Sequence, residues 1–133
     1  RIREEITPNP TYSTEERDLF YRFLSHMGAV LVDSGINVIF DATANKREYR
    51  DRGRKMIARF MEVYARCPLS VCQTRDPKGI YRRGREGGTQ TVPGMQEPYE
   101  EPELPEVIVD TDRESSDAGA EKVVTWLKEN QWI

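Results

Sequence analysis

Between Cys72 and Pro102 the chain gathers side chains suited to phosphate-like oxygens. Arg75, Lys78, Arg82, Arg83 and Arg85 fall close together, and the run then turns acidic at Glu97, Glu100 and Glu101. A guanidinium is planar, always charged, and forked to match the oxygens of such anions. Pro77, Pro93, Pro98 and Pro102, with Pro105 just beyond, interrupt regular structure, as do Gly79, Gly84, Gly87, Gly88 and Gly94. A connection this long inside a compact domain is either disordered or a working lid over a site. Disordered segments are poor in apolar and aromatic residues, yet this one keeps Ile80, Tyr81, Val92, Met95 and Tyr99. The reading is a lid, residues 76–105, that orders over an anionic ligand.

The elements that must position this lid are legible from periodicity. Residues 1–10 open with a helical turn and end in the Thr-Pro-Asn-Pro break. Ser13 and Glu16 have the spacing of a capping box. Behind them Leu19, Phe20, Phe23, Leu24, Met27, Val30 and Leu31 mark one face of a helix that ends at Ser34-Gly35. NVIF at 37–40 reads as a buried parallel strand with Asp41 at its carboxyl end. A basic helix at 46–60, a strand at 61–65 and a helix opened by Pro68 follow. After the lid come a third strand at 106–110 and a closing helix at 115–130, with Ala120, Val123, Val124 and Leu127 inward. Strands alternating with helices predict an α/β domain with a mostly parallel sheet, whose ligands bind beyond the carboxyl ends of the strands.

Composition narrows the class. The 133 residues, 37% hydrophobic and 32% charged, fit one domain with a modest core, and a net charge of -3 argues against a general nucleic-acid binder. The two cysteines, Cys67 and Cys72, are too few for a secreted disulfide framework and read as packing thiols. With His26 the sole histidine, no Cys/His cluster has metal-ligand spacing. No apolar run approaches membrane-spanning length, so the expected setting is the cytoplasm, without membrane or nucleic-acid partners. The charges of residues 46–60 alternate in sign with Glu48 and Asp51, the pattern of a solvated face laced with weak pairs.

The stretch FMEVYARCPLSVCQTRDPKGIYRRGREGG, followed by PGMQEPYEEPELPEVIVDT, resembles the carboxyl-terminal half of the adenylylsulfate kinases. Those enzymes carry a strand ending in EVY, then PL-x-VC, RDPKGLY, a TGI-x-x-PYE-x-P lid and a last strand ending in DT. Tyr12-Ser13-x-x-Glu16-Arg17 matches the family's FS-x-x-DR. The resemblance implies an α/β, three-layer P-loop NTPase-type fold, with a mostly parallel sheet flanked by helices and a long lid loop. It also implies transfer of the ATP γ-phosphoryl group to the 3′-hydroxyl of adenosine 5′-phosphosulfate, with ATP and Mg2+ as cofactors. Neither the family's G-x-x-x-x-G-K-[ST] nor its DGD-x-[IV]-R occurs in these residues, although Arg1-Ile2-Arg3 fits the tail of the second. The expectation is a single kinase domain over 1–133 lacking its amino-terminal P-loop strand and helix, with that segment preceding Arg1.

Carried over by position, Arg3 and Arg17 correspond to arginines that grip the phosphosulfate, and Tyr12 to the phenylalanine stacked on the adenine. Lys78 and Ile80 correspond to the lysine and apolar residue beside the substrate, and Arg47 to a loop arginine. Arg75, Arg82 and Thr111 fall on the ATP side and lid, with Arg83 and Arg85 as looser lid candidates. The chain departs from the pattern at Phe20, where the family has asparagine, and at Val92, where it has the lid phenylalanine. The family's SPYR loop is Ala44-Asn45-Lys46-Arg47 here. Losing one stacking ring costs about 1 kcal/mol of binding. VIFDATANKR resembles a V-I-x-DAT-N-x-x-R stretch of other small P-loop kinases, which makes Asp41 the catalytic candidate, holding metal-bound water or orienting a hydroxyl. Its other reading is a helix cap or ion-pair partner. The resemblance thus implies an adenylylsulfate kinase binding small nucleotides, with dimers common in the family. The alternatives are a P-loop kinase for another small phosphorylated acceptor and an inactive binding module without the P-loop.

Overall fold

The computed structural model describes residues 2–88 and 91–133; Arg1, Thr89 and Gln90 lie outside the described residues. The elements run α1 (Ile2–Ile6), α2 (Thr14–Asp33), α3 (Arg47–Met56), β1 (Val63–Arg66), α4 (Leu69–Arg75), α5 (Ile80–Arg85), β2 (Val107–Asp110) and α6 (Ser116–Glu129). β1 and β2 pair in parallel, with Val63 opposite Val107 and Arg66 opposite Asp110. Two parallel strands need a long crossover, and here α4, α5 and the lid supply it. α2 packs on α3, and α6 packs on β2.

Local chemistry explains the helix starts. Ser13 Oγ accepts the Glu16 N–H at 3.2 Å, as a cap should. The reciprocal arm differs from the capping box: Glu16 Oε2 accepts from the Thr11 N–H at 2.6 Å and the Tyr12 N–H at 3.3 Å. Ser115 Oγ likewise accepts the Ala118 N–H at 3.2 Å to start α6. α3 has no side-chain cap of its own. Its first N–H, from Arg47, donates instead to Glu100 Oε2 at 2.7 Å, so the acid end of the lid caps this helix.

Several expectations are corrected. NVIF forms no strand: residues 37–40 are irregular, and Ile39 is 95% exposed. A strand exists only where a neighbour takes up its ladder groups, and among the described residues the sheet has two strands, neither beside NVIF. The middle strand begins at Val63 rather than at Met61 and runs to Arg66. On α2 the buried residues are Phe20, Leu24, Ser25 and Gly28, whereas Leu19 and Val30 are exposed. α6 buries Gly119, leaving Ala120 and Val124 exposed. Gly119 is the contact point because a Cβ there would sit 2.6 Å from Val109 Cγ1. The same need for close approach sets Gly28 against Phe40, at 2.8 Å.

The charges of α3 are more than a solvated face. Arg54 meets Glu106 through two nitrogens at 2.5 and 2.8 Å, and Glu106 also accepts the Glu62 N–H at 2.6 Å. Arg50 Nε lies 2.6 Å from Glu62, with both side chains nearly nine-tenths buried. Arg52 reaches Asp18 on α2 at 2.9 Å. Burial alone would raise the Glu106 carboxyl, but the Arg54 guanidinium and backbone N–H groups hold it below its usual range.

Two outcomes follow. Gly119→Val forces a side chain into Val109 and should cost about 1–3 kcal/mol, seen as a lower thermal midpoint with α6 amides exchanging faster. Because Glu106 has a depressed folded-state pKa, its contribution is complete above pH 4.5 and is lost as pH falls through the folded value. Glu106→Gln should therefore destabilise the protein at neutral pH and flatten the loss of stability between neutrality and acid, measured by urea unfolding across pH. An unchanged acid slope would exclude this pair as its source.

Candidate functional site

The end of α1, the turn before α2 and the start of α2 bring three of the sequence candidates together. Arg3 stacks its guanidinium over the Phe20 ring at 3.8 Å from the centroid and lies 5.4 Å from that of Tyr12. Arg3 Nη1 also pairs with Glu16 at 3.2 Å. Arg17 also approaches Tyr12, at 5.9 Å, and its Nε donates to the Tyr12 carbonyl at 3.0 Å. Tyr12 sits at φ 56, a left-handed conformation that costs a non-glycine residue on the order of 1 kcal/mol. Glu16 and Arg17 hold it there through its N–H and carbonyl. The Thr11 hydroxyl, backed by two N–H groups and the Arg3 charge, keeps the Glu16 carboxyl below its usual range. The result is an exposed aromatic face flanked by two guanidiniums, which suits a base bearing an anionic tail.

The lid borders this cluster. It is ordered, and α5 forms within it. Asp76 accepts the Tyr81 and Arg82 N–H groups at 3.2 and 2.9 Å and starts that helix. Burial opposes ionisation of Asp76, yet the N–H groups of Arg82, Tyr81 and Ile80 hold its carboxyl low. Beyond α5, Val92 is buried, and Gln96 ties the turn together: Oε1 accepts the Val92 N–H and Nε2 donates to the Gly84 carbonyl, both at 3.1 Å. Val92 thus fills the lid's own interior rather than offering a stacking face.

The acid end of the lid is held by α3. Arg47 donates from Nε to the Glu101 carbonyl at 2.8 Å and from Nη1 to Glu103 at 2.6 Å. Arg50 donates to the Glu100 carbonyl at 2.6 Å. Arg47, a substrate candidate by sequence, uses its backbone N–H, Nε and Nη1 on the lid. Tyr99 faces Tyr64 of β1 at 6.1 Å, and burial, then the Glu101 charge, pushes the Tyr64 hydroxyl up to about 12.

The remaining candidates fall into separate places. Arg75 Nη1 donates to the Thr111 carbonyl at 2.9 Å, joining the end of α4 to the end of β2, where both ATP-side candidates meet. Lys78 and Arg82 are exposed on the lid, Ile80 is 39% exposed at the start of α5, and among the described residues no hydrogen bond or ion pair joins them to the Tyr12 cluster. Asp41 is exposed in the irregular segment after NVIF, without a hydrogen bond or ion pair among the described residues. Those residues contain no group of three His, Cys, Asp or Glu placed to hold a metal ion, so Asp41 stands as a single carboxylate. Cys67 and Cys72 are free thiols, and burial and the Cys67 neighbour push the Cys72 thiol up, as packing thiols behave. No helix among the described residues is long and apolar enough to cross a membrane. The side chain that sequence reasoning passed over is Asn45, whose only signal was its place in the altered SPYR loop.

Comparison with known proteins agrees with this geometry. The family model for adenylylsulphate kinase matches residues 1–110. The adenylyl-sulfate kinase of Oceanobacillus iheyensis is 32% identical over 99% of this chain and 67% of its own length. A probable adenylyl-sulfate kinase of Archaeoglobus fulgidus is 42% identical over 84% of this chain and 72% of its own. Among solved structures, the Mycobacterium tuberculosis APS kinase in complex with AMPPNP and APS superposes with a TM-score of 0.86 at 33% identity. That match covers 96% of this chain and 75% of the other. The chain therefore spans about two thirds to three quarters of the length of these relatives. It belongs to the adenylylsulfate kinase family, phosphotransferases of the P-loop α/β fold.

Proposed function

We propose that this chain forms the acceptor-binding and lid portion of an adenylyl-sulfate kinase, which phosphorylates the ribose 3′-hydroxyl of adenosine 5′-phosphosulfate. Kinases of this family use ATP with Mg2+, and phosphoryl transfer of this kind depends mainly on positioning and charge stabilisation. The observation that carries the reading is the Tyr12 ring with the Arg3 and Arg17 guanidiniums beside it, at 5.4 and 5.9 Å. Tyr12 offers the adenine a stacking surface, and the guanidiniums offer the phosphosulfate planar donors. Phe20 helps to hold the Arg3 guanidinium, which stacks on its ring at 3.8 Å. Lys78, exposed on the lid, supplies a mobile positive charge that reaches the acceptor when the lid closes and excludes water. Arg75 and Thr111, joined at 2.9 Å, border the donor nucleotide. Asp41 orients the attacking hydroxyl. The reading carries with it a cytoplasmic setting, small-nucleotide partners and a homodimer.

The test is coupled ADP release by the protein that carries this chain, with adenosine 5′-phosphosulfate set against other phosphorylated acceptors. Turnover should be confined to the sulfonucleotide; activity only on a sulfur-free acceptor would overturn the substrate. Lys78→Ala should raise the acceptor KM by about tenfold, the scale of one charged hydrogen bond, and leave the ATP KM within about threefold. Equal losses for both substrates would remove Lys78 from the acceptor side.

A further inference from the structure

Among the described residues Asn45 is buried to 2% exposure, and it is polar. A buried amide persists only when its donors and acceptors are met. The Asn45 partners come from two distant segments: Oδ1 accepts from Arg17 Nη1 at 3.4 Å, and Nδ2 donates to the Pro98 carbonyl at 3.1 Å. The amide has one possible orientation, because a guanidinium only donates and a carbonyl only accepts. The main-chain oxygen of Asn45 accepts the Glu100 N–H at 2.8 Å, so side chain and backbone hold the same stretch of lid.

Arg17 completes the arrangement. Its Nε is fixed by the Tyr12 carbonyl, its Nη1 by Asn45, and its Nη2 donates to the Thr91 carbonyl. With five N–H groups, a guanidinium held this way still has one to offer from each terminal nitrogen. We propose that Asn45 is a positioning residue of the acceptor site. It sets the Arg17 fork and, through the same amide, ties the lid to the loop after NVIF, so that lid seating and acceptor capture are coupled. The acceptor half of this proposal rests on the function proposed above; the lid tie does not.

Hydrogen exchange over residues 91–100 and steady-state kinetics together test it, in the protein that carries this chain. Asn45→Ala should speed exchange in that segment by about tenfold and raise the acceptor KM by a similar factor, while the ATP KM stays near the parent value. Asn45→Asp keeps an acceptor for Arg17 but sets an oxygen against the Pro98 carbonyl. It should free the lid as much as alanine does, with a smaller rise in acceptor KM. If Asn45 acts through Arg17, then in an Arg17→Lys background Asn45→Ala should add less than about twofold to the acceptor KM. Full additivity, or parent-like exchange in a folded Asn45→Ala, would overturn the proposal. So would kcat and both KM values worsening together in step with lost folded protein. Should Asn45→Ala not fold, Arg17→Lys alone must still loosen residues 91–100, and unchanged exchange there would refute the tie. A parent protein inactive on adenosine 5′-phosphosulfate would sink the acceptor reading, leaving the exchange data to decide the tie.

Discussion

Arg47, Arg50, Arg52 and Arg54 of α3 tie that helix to the strand starts, to α2 and to the lid. Arg50 and Arg54 meet Glu62 and Glu106, one carboxylate just before each strand, and so fix the helix to the start of the sheet. Arg52 ties it to Asp18 of α2, and Arg47 and Arg50 hold the acid end of the lid. Largely buried pairs of this kind contribute modestly in net energy, because desolvation offsets much of the Coulomb attraction. Their geometric effect is larger. Once one partner is removed, a charge is left in a poorly hydrated place, so helix, strand starts and lid must keep their relative positions together.

The apolar core is small by comparison. Phe20, Leu24, Tyr49, Val92, Val107 and Val109 are buried, while Leu19, Val30, Ile39 and other large apolar side chains are exposed. Cohesion therefore leans on close backbone contacts, such as Gly119 on Val109, and on polar ties that cross between segments. Asn45 and Arg17 are the densest of these. They join the turn before α2, the loop before α3 and the lid.

The lid owes its order to a few local anchors. Its prolines and glycines exclude long regular elements, yet Asp76 starts α5, and Gln96 and Val92 give the following turn an interior. Its basic residues remain exposed and its acidic end is clamped, so one end is anchored and the other is open to an anion. That asymmetry fits a kinase lid, which must move over its ligand without losing its attachment.

Features set by short-range physics are legible in the amino-acid order alone. Ser13 and Ser115 cap their helices, Pro68 precedes α4, the parallel β-α-β order follows from alternating patterns, and RDPKG-x-Y with PYE-x-P marks the family. Each of these signals acts within a few residues or is carried by a motif. The tertiary structure decided the rest. NVIF has strand composition but no ladder neighbour among the described residues, and a strand is a property of the pair rather than of the segment. Val92 is an interior residue of the lid, Arg47 holds the lid, and the role of Asn45 depends on groups 28 and 53 residues away. Burial of a polar side chain is set by what the rest of the chain places around it, and no local pattern encodes that.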